Sequence, residues 1–222
     1  MQPLSAQELE RLRAYDTCTI ANAIETFNVR PRTDGFMNPD IKCVFPALGV
    51  TIGYAVTARV RASIATDAAY SRHGWWDLIA ASPAPRVAVI QDVDDPPVGA
   101  FWGEVQSNIH RALGCVGTVT NGGVRDLREV EPLGFAYFAG SIMVSHAYID
   151  IIDFGMPVTI GGLVVKTGDL VHADIHGVQI IPPEIAREIP AACEAIIAKE
   201  RTIISLCQSS GFSLDKLKAV QP

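Results

Sequence analysis

The stretch Gly114-Cys115-Val116-Gly117-Thr118-Val119-Thr120-Asn121-Gly122-Gly123-Val124-Arg125-Asp126 decides the fold. Gly117 to Thr120 reads as a strand, Asn121 to Val124 as the loop that ends it, and a short helix is expected to open near Asp126. Immediately upstream, Val105 to Leu113 has helical spacing, so the passage alternates helix, strand, loop and helix. Further out, Val50 to Val60 and Arg86 to Gln91 read as strands, with a short helix over Trp76 to Ala81 between them. Phe135 to Phe138 and Ile142 to Ser145 read as further strands. Strands and helices that interleave in this way predict an α/β fold with a mixed sheet.

The ends of the chain add helices. Ser5 and Glu8 form an S-x-x-E capping box ahead of Leu9 and Leu12. A second helix is expected over Cys18 to Phe27, followed by a loop from Arg30 to Pro46 rich in Pro, Gly and Asn. From Val158 to Pro182 the chain becomes short β runs separated by Gly161-Gly162, Gly168-Asp169 and His176-Gly177, which predicts hairpins. Pro183 to about Cys207 reads as a long helix with Pro183 in its first turn, where a missing N–H costs little. One domain is expected over 1–222: N-terminal helices to residue 30, an α/β core over 50–182 and a helical segment over 183–222.

Composition narrows the function. The net charge is −6 and no stretch is dense in Lys or Arg, which argues against a nucleic-acid groove or an anionic membrane surface as partner. No apolar run approaches the roughly 20 residues that span a bilayer. The N-terminus lacks the pattern of a secretory signal, so a cytoplasmic protein is expected. The five cysteines include no C-x-x-C pair and read as free thiols. No Rossmann fingerprint or P-loop is present.

The residues with chemical promise are Glu104, at the start of the helix before the strand, and Arg125-Asp126 after it. Two glycines before Arg125 permit a close backbone approach. A guanidinium beside a carboxylate, a hard oxygen ligand, can hold a metal and a carboxylate-bearing substrate together. Taken alone, an Arg-Asp dipeptide is more often a surface pair of little consequence. The spacing is more specific: Glu104, twenty residues, Arg125-Asp126, two residues, Glu129. It resembles the D/E-x20-R-D-x2-E/D signature of the class II 4-hydroxy-4-methyl-2-oxoglutarate / 4-carboxy-4-hydroxy-2-oxoadipate aldolases. Their wider family includes the RNase E regulator RraA, and residues 114–126 are similar to its G-x-x-G-x-V-x-D-G-x-V-R-D core. The resemblance covers about residues 15–182.

That resemblance implies a swivelling β/α/β-type sandwich and a metal-dependent lyase that cleaves 4-hydroxy-2-oxo acids to pyruvate through an enolate, with oxaloacetate decarboxylase activity. Asp126 would be the direct ligand of Mg²⁺ or Mn²⁺. Glu104 would hold the metal through water and help to orient or deprotonate a catalytic water. Arg125 would contact the keto oxygen. The N–H groups of Val105 and Gln106 would grip the substrate carboxylate, a role suited to a helix N-terminus. Glu129 and Glu200 are further candidate metal-site acids, the latter as the glutamate lent by a neighbouring subunit. The assembly implied is a homotrimer or a hexamer. Asn121 departs from the family's Asp, and Val105-Gln106-Ser107 is more polar than its Leu-rich run; these bear on a loop hydrogen bond and on the substrate pocket.

The alternative function is a non-enzymatic regulator that binds RNase E. Retained acids at both outer motif positions, Glu104 and Glu129, favour the enzyme. A methyltransferase is disfavoured because no glycine-rich strand-to-helix loop suits a methyl donor. His172, Asp174 and His176 could share one strand face and bind a transition metal, but turn chemistry explains them more simply. His110 and His146 are candidate substrate contacts, with a structural role favoured for each. His73-Gly74-Trp75-Trp76 could line a pocket mouth, though tryptophans more often pack. Lys166 could form a Schiff base, but a lysine beside a Gly-Asp turn is usually solvated.

Overall fold

The computed structural model describes residues 2–65 and 72–220. The two ends of the expected 1–222 domain, Met1 and residues 221–222, lie outside them, as do residues 66–71.

The chain opens with α1 (Ala6–Arg13), whose capping box is formed in both directions: Ser5 Oγ accepts from the Glu8 N–H, and the Glu8 carboxylate accepts from the Ser5 N–H. Next comes α2 (Thr17–Thr26), capped by Asp16, whose Oδ1 accepts the Thr19 N–H at 2.7 Å. The expected loop of residues 30–46 contains one short strand, β1 (Lys42–Cys43). The core follows as β2 (Thr51–Arg61), α3 (Arg72–Ala81), β3 (Arg86–Asp92), β4 (Ala100–Trp102), α4 (Glu104–Ala112), β5 (Cys115–Val124), α5 (Leu127–Val130) and β6 (Ala136–Ile142). The chain continues through β7 (Asp150–Phe154), β8 (Val158–Ile160), β9 (Leu163–Val165), β10 (Leu170–Asp174) and β11 (Gly177–Ile181), then ends in α6 (Ile189–Gln208) and α7 (Leu214–Val220).

Strand order in the large sheet is β1-β6-β5-β3-β2-β10-β11, with β4 on β5 and β7 on β2. The central strands β2, β3, β5 and β6 are mutually parallel, and β1, β7, β10 and β11 pair antiparallel. The fold is therefore α/β with a mixed sheet. The hairpins expected over 158–182 form as β8-β9 and β10-β11.

Period-two alternation on the central strands divides the interior. Val56, Ala58 and Val60 of β2 and Ala88 and Ile90 of β3 face one core with Trp75, Ile79, Trp102 and Phe135. Ala55, Val87 and Val89 face the other, with Val119, Ile160 and Val171. Both faces are covered, which explains the nearly unbroken apolar runs. Ile52 and Tyr54 extend into a third cluster beneath α1, α2 and α6.

Three expectations need correction. Asn121 to Val124 is not a loop: β5 runs to Val124 through a register shift between Thr120 and Gly123. Gly122 and Gly123 mark close approach instead of a turn, because an added Cβ would lie 3.0 Å from Asp92 Oδ2 at the first and 2.6 Å from Met143 Sδ at the second. The strand expected over Ile142 to Ser145 ends at its first residue, since β6 stops there. The long helix begins at Ile189, with Pro190 in its first turn and Pro183 left in the preceding turns.

Two fully buried histidines and one buried aspartate set a pH dependence. Burial pushes His110 and His172 down to about 4. Burial pushes Asp92 up to about 6. The unfolded chain protonates the two imidazoles from about pH 6.5 downward, whereas the fold resists until about pH 4. Their full contribution is present above that window, and about 3 kcal/mol per histidine is lost across it. Asp92 works in the opposite sense and returns at most about 3 kcal/mol as it is protonated near pH 6. Urea unfolding should therefore show stability falling by roughly 3 kcal/mol between pH 7 and pH 4.5. A flat profile over that range would contradict the neutral burial of the two imidazoles.

Candidate active site

The site lies outside the carboxyl ends of parallel strands, the place where open α/β sheets bind ligands. β5 delivers Arg125 and Asp126 directly after Val124, and the short β4 beside it leads through Gly103 into α4. The Arg125 N–H donates to Trp102 O at 2.9 Å, and this hydrogen bond holds the two strand ends together.

Asp126 has left-handed backbone, φ 55° and ψ 44°, unusual for a residue with a Cβ and most tolerable in Asp or Asn. Its carbonyl accepts from the Glu129 and Val130 N–H groups and so starts α5. Its side chain turns back across Gly103: Oδ2 accepts the Glu104 N–H at 2.9 Å and lies 3.7 Å from Arg125 Nε. A Cβ on Gly103 would lie 2.5 Å from that oxygen, so this approach requires glycine. Oδ1 accepts no hydrogen bond from the described residues.

Together these residues border a cleft of about 420 Å³. Gly103, Val105, Gln106, Arg125 and Asp126 line it with Ala100 and Phe101, and the loop from His146 to Ile149, Asp150 and Arg72 complete it. The guanidinium of Arg125 leans toward that loop, with Nη1 3.4 Å from Val144 O. At the start of α4, Gly103 provides no side-chain cap. The Val105 and Gln106 N–H groups meet no acceptor among the described residues, so they remain free for an anion.

The structure thus gathers Arg125, Asp126, Val105 and Gln106 on one cleft, the set that the resemblance implies. Glu104 stands beside Asp126 through its N–H, but the carboxylates of Glu104, Glu129 and Glu200 do not line the cleft. Glu104 is exposed on the first turn of α4, Glu129 on α5 and Glu200 on α6. Arg72, Tyr148 and Asp150 carried no sequence signal, because they reach the cleft only through tertiary folding. His146 was visible as an isolated polar residue in Ser145-His146, but no spacing tied it to Arg125.

The donor set can be tested against a metal. Among the described residues no three His, Cys, Asp or Glu side chains cluster to form a metal cage. A partly exposed carboxylate with one uncommitted oxygen fits a hard, hydrated ion such as Mg²⁺ or Mn²⁺, which keeps most of its waters and needs only one or two protein carboxylates. It does not fit a soft transition-metal site.

The remaining candidates have structural explanations. Asp174 accepts from the Thr17 N–H and hydroxyl, at 2.8 and 2.6 Å, and from the His176 N–H, which ties α2 to the β10-β11 turn. His172 is buried. His110 receives the Trp75 Nε1–H at 2.9 Å and donates to Gln106 O, so it braces α4 against the core without reaching the cleft. Trp75 is fully buried, and Lys166 is exposed. Asn121 bridges to Asp92, accepting its N–H and donating to its C=O, both at 2.8 Å.

No helix among the described residues is long and apolar enough to cross a membrane. Comparison with known proteins places the chain. The family model described as RraA-like, Aldolase/RraA, matches residues 17–180. A putative 4-hydroxy-4-methyl-2-oxoglutarate aldolase of Halalkalibacterium halodurans is 28% identical over 100 residues, 45% of this chain and 48% of that protein, so the match spans about half of the relative. An uncharacterized protein of Methanocaldococcus jannaschii is 26% identical over 82% of this chain and 86% of its own. Among solved structures, an uncharacterized protein from Pseudomonas syringae pv. tomato superposes with a TM-score of 0.76 at 24% identity, covering 98% of this chain and 95% of its own. Streptomyces coelicolor RraAS2, described as an unusual member of the RNase ES inhibitor RraA protein family, superposes at 0.69 with 18% identity over 92% and 98% of the two chains. The chain belongs to the RraA-like family.

Proposed function

We propose that this chain is a divalent-metal-dependent lyase that cleaves 4-hydroxy-2-oxo acids to pyruvate and also decarboxylates oxaloacetate. The observation that carries the reading is the convergence, on one cleft, of the Asp126 carboxylate, the Arg125 guanidinium and the free N–H groups of α4.

In this reading Val105 and Gln106 hold the substrate's carboxylate at the helix N-terminus. Arg125 faces the 2-oxo oxygen and stabilises the negative charge that grows there when the C3–C4 bond breaks. Asp126, held in place by the Glu104 N–H, is the residue that would hold Mg²⁺ or Mn²⁺; when bound, the ion supplies Lewis-acid polarisation of the ketone. The C3–C4 electron pair passes into a pyruvate enolate, and a proton added at C3 completes pyruvate. In oxaloacetate the group that leaves C3 is carbon dioxide, and the same electron sink serves.

A cytoplasmic homotrimer or hexamer is part of the proposal. Val105, Ile142, Val144 and Tyr148 are exposed apolar side chains on the cleft wall or beside it, and a second copy would cover such a rim. Glu200, exposed on α6 and not part of its own subunit's cleft wall, then becomes available to a neighbour's.

The test is release of pyruvate from several 4-hydroxy-2-oxo acids and from oxaloacetate, with EDTA, Mg²⁺ or Mn²⁺. Turnover that EDTA abolishes and either ion restores is the expected result. No turnover of any substrate with metal present would reject the lyase and leave a regulator that binds RNase E as the better reading.

A further inference from the structure

Aldol cleavage needs a base for the proton on the C4 hydroxyl, and the acids singled out for such work do not supply one. Glu104 is not part of the cleft wall, and Asp126 accepts the Glu104 N–H and is the carboxylate that would hold the ion. We propose, building on the lyase reading, that His146 is the catalytic base: its neutral Nε2 takes the C4 hydroxyl proton.

The geometry of its loop supports this role. His146 is exposed in the cleft that Arg125 and Asp126 line. Its Nδ1 lies 2.7 Å from Ala147 O. A carbonyl oxygen only accepts, so Nδ1 carries the hydrogen and Nε2 of the neutral ring carries the lone pair. Ala147 adopts left-handed backbone, φ 46°, a conformation that costs a residue with a Cβ about 1 kcal/mol or more and recurs at functional sites.

The loop is held on several sides. Ser145 O accepts the Ala100 N–H at 2.9 Å, and Ser145 Oγ accepts the Ala147 N–H at 3.0 Å. His146 O accepts the Ile149 N–H at 3.1 Å, and Ala62 O accepts the Tyr148 N–H at 3.1 Å. Gly99 packs against the loop so closely that a Cβ there would lie 2.5 Å from His146 O. An imidazole with a set tautomer, on an anchored but strained turn, meets the requirement that a base be held in place before substrate arrives.

The step balances without a further reactant. The hydroxyl proton passes to Nε2, the O–H pair forms the C4=O bond of the departing carbonyl product, and the C3–C4 pair moves into the enolate. The imidazolium then returns its proton to C3. Carbon–carbon cleavage of oxaloacetate differs, because its leaving carboxylate has no proton to remove and needs no base.

The experiment compares His146→Ala with wild type in three measurements: aldol cleavage, carbon dioxide release from oxaloacetate, and inhibition by pyruvate. Expected are a fall in aldol kcat of about 10²-fold or more, a far smaller change in carbon dioxide release, unchanged pyruvate inhibition, and partial recovery of cleavage on adding imidazole. Equal loss of both reactions, retained aldol cleavage, or a loss that imidazole does not repair would overturn the assignment. So would the same selective loss in Asp150→Asn, which removes the carboxylate that Asp150 carries on this side of the cleft. A wild-type protein that turns over neither substrate rejects the lyase reading and the role of His146 with it; a wild-type lyase with an unselective His146→Ala rejects the role alone.

Discussion

Asp126→Asn should reduce metal-stimulated pyruvate release to the rate of the wild-type protein in EDTA, and added Mg²⁺ or Mn²⁺ should not restore it. The substitution is chosen to leave the fold in place. Asn tolerates the left-handed backbone of position 126 (φ 55°) about as well as Asp, and its amide oxygen can still accept the Glu104 N–H. What it removes is the negative charge, the property a hard divalent ion requires. Thermal unfolding should therefore change by no more than the weakening of one hydrogen bond, about 1 kcal/mol. Asp126→Ala is the poorer probe, because it adds a backbone cost of roughly 1–2 kcal/mol and frees the Glu104 N–H. Titration with Mn²⁺ followed by electron paramagnetic resonance provides a readout apart from activity: binding should weaken sharply in the Asn variant. An Asp126→Asn protein with wild-type metal-stimulated rates would remove this carboxylate from the ion's site.

The central sheet was legible because its signal is local. Val56-Thr57-Ala58 and Val87-Ala88-Val89-Ile90 are rich in apolar and β-branched residues and buried on both faces, as parallel strands between two layers are. The capping box at Ser5 was equally local. The end of β5 was misread because Gly122 and Gly123 have two explanations in sequence, a turn or a close approach, and only the Met143 and Asp92 side chains beside them decide between the two. β7, Asp150-Ile-Ile-Asp-Phe, has no clear alternation and forms only because the outer half of β2 offers it an edge. In the site, the contiguous part was readable: Arg125-Asp126 and the start of α4 lie on one motif. Arg72 and the 146–150 loop come from distant segments with no shared spacing, and an Asp, though tolerant of left-handed backbone, does not by itself announce it. Legibility followed sequence separation: the half of the cleft on one motif was readable, and the half assembled from distant segments was not.

Arg125→Ala should lower kcat by about 10²–10³, the scale for loss of one electrostatic stabiliser in an active site, with a smaller change in KM. The asymmetry follows from where charge develops. The keto oxygen is nearly neutral in bound substrate and approaches a full negative charge as the enolate forms, so a guanidinium beside it interacts more strongly in the transition state than in the ground state. Stability should change little, because the side chain is about one-third exposed (36%), lies 3.7 Å from Asp126 Oδ2 and, among the described residues, makes only the long hydrogen bond to Val144 O at 3.4 Å. Arg125→Lys keeps the charge but loses the planar fork that can serve both the keto oxygen and that carbonyl, so it should recover only part of the loss. The decisive comparison is between reactions. Aldol cleavage and oxaloacetate decarboxylation share the enolate and differ in the need for a base, so Arg125→Ala should slow both by a similar factor where His146→Ala slows one. An Arg125→Ala protein that retained wild-type decarboxylation would show that the charge is stabilised elsewhere, and the electron sink would have to be sought away from this guanidinium.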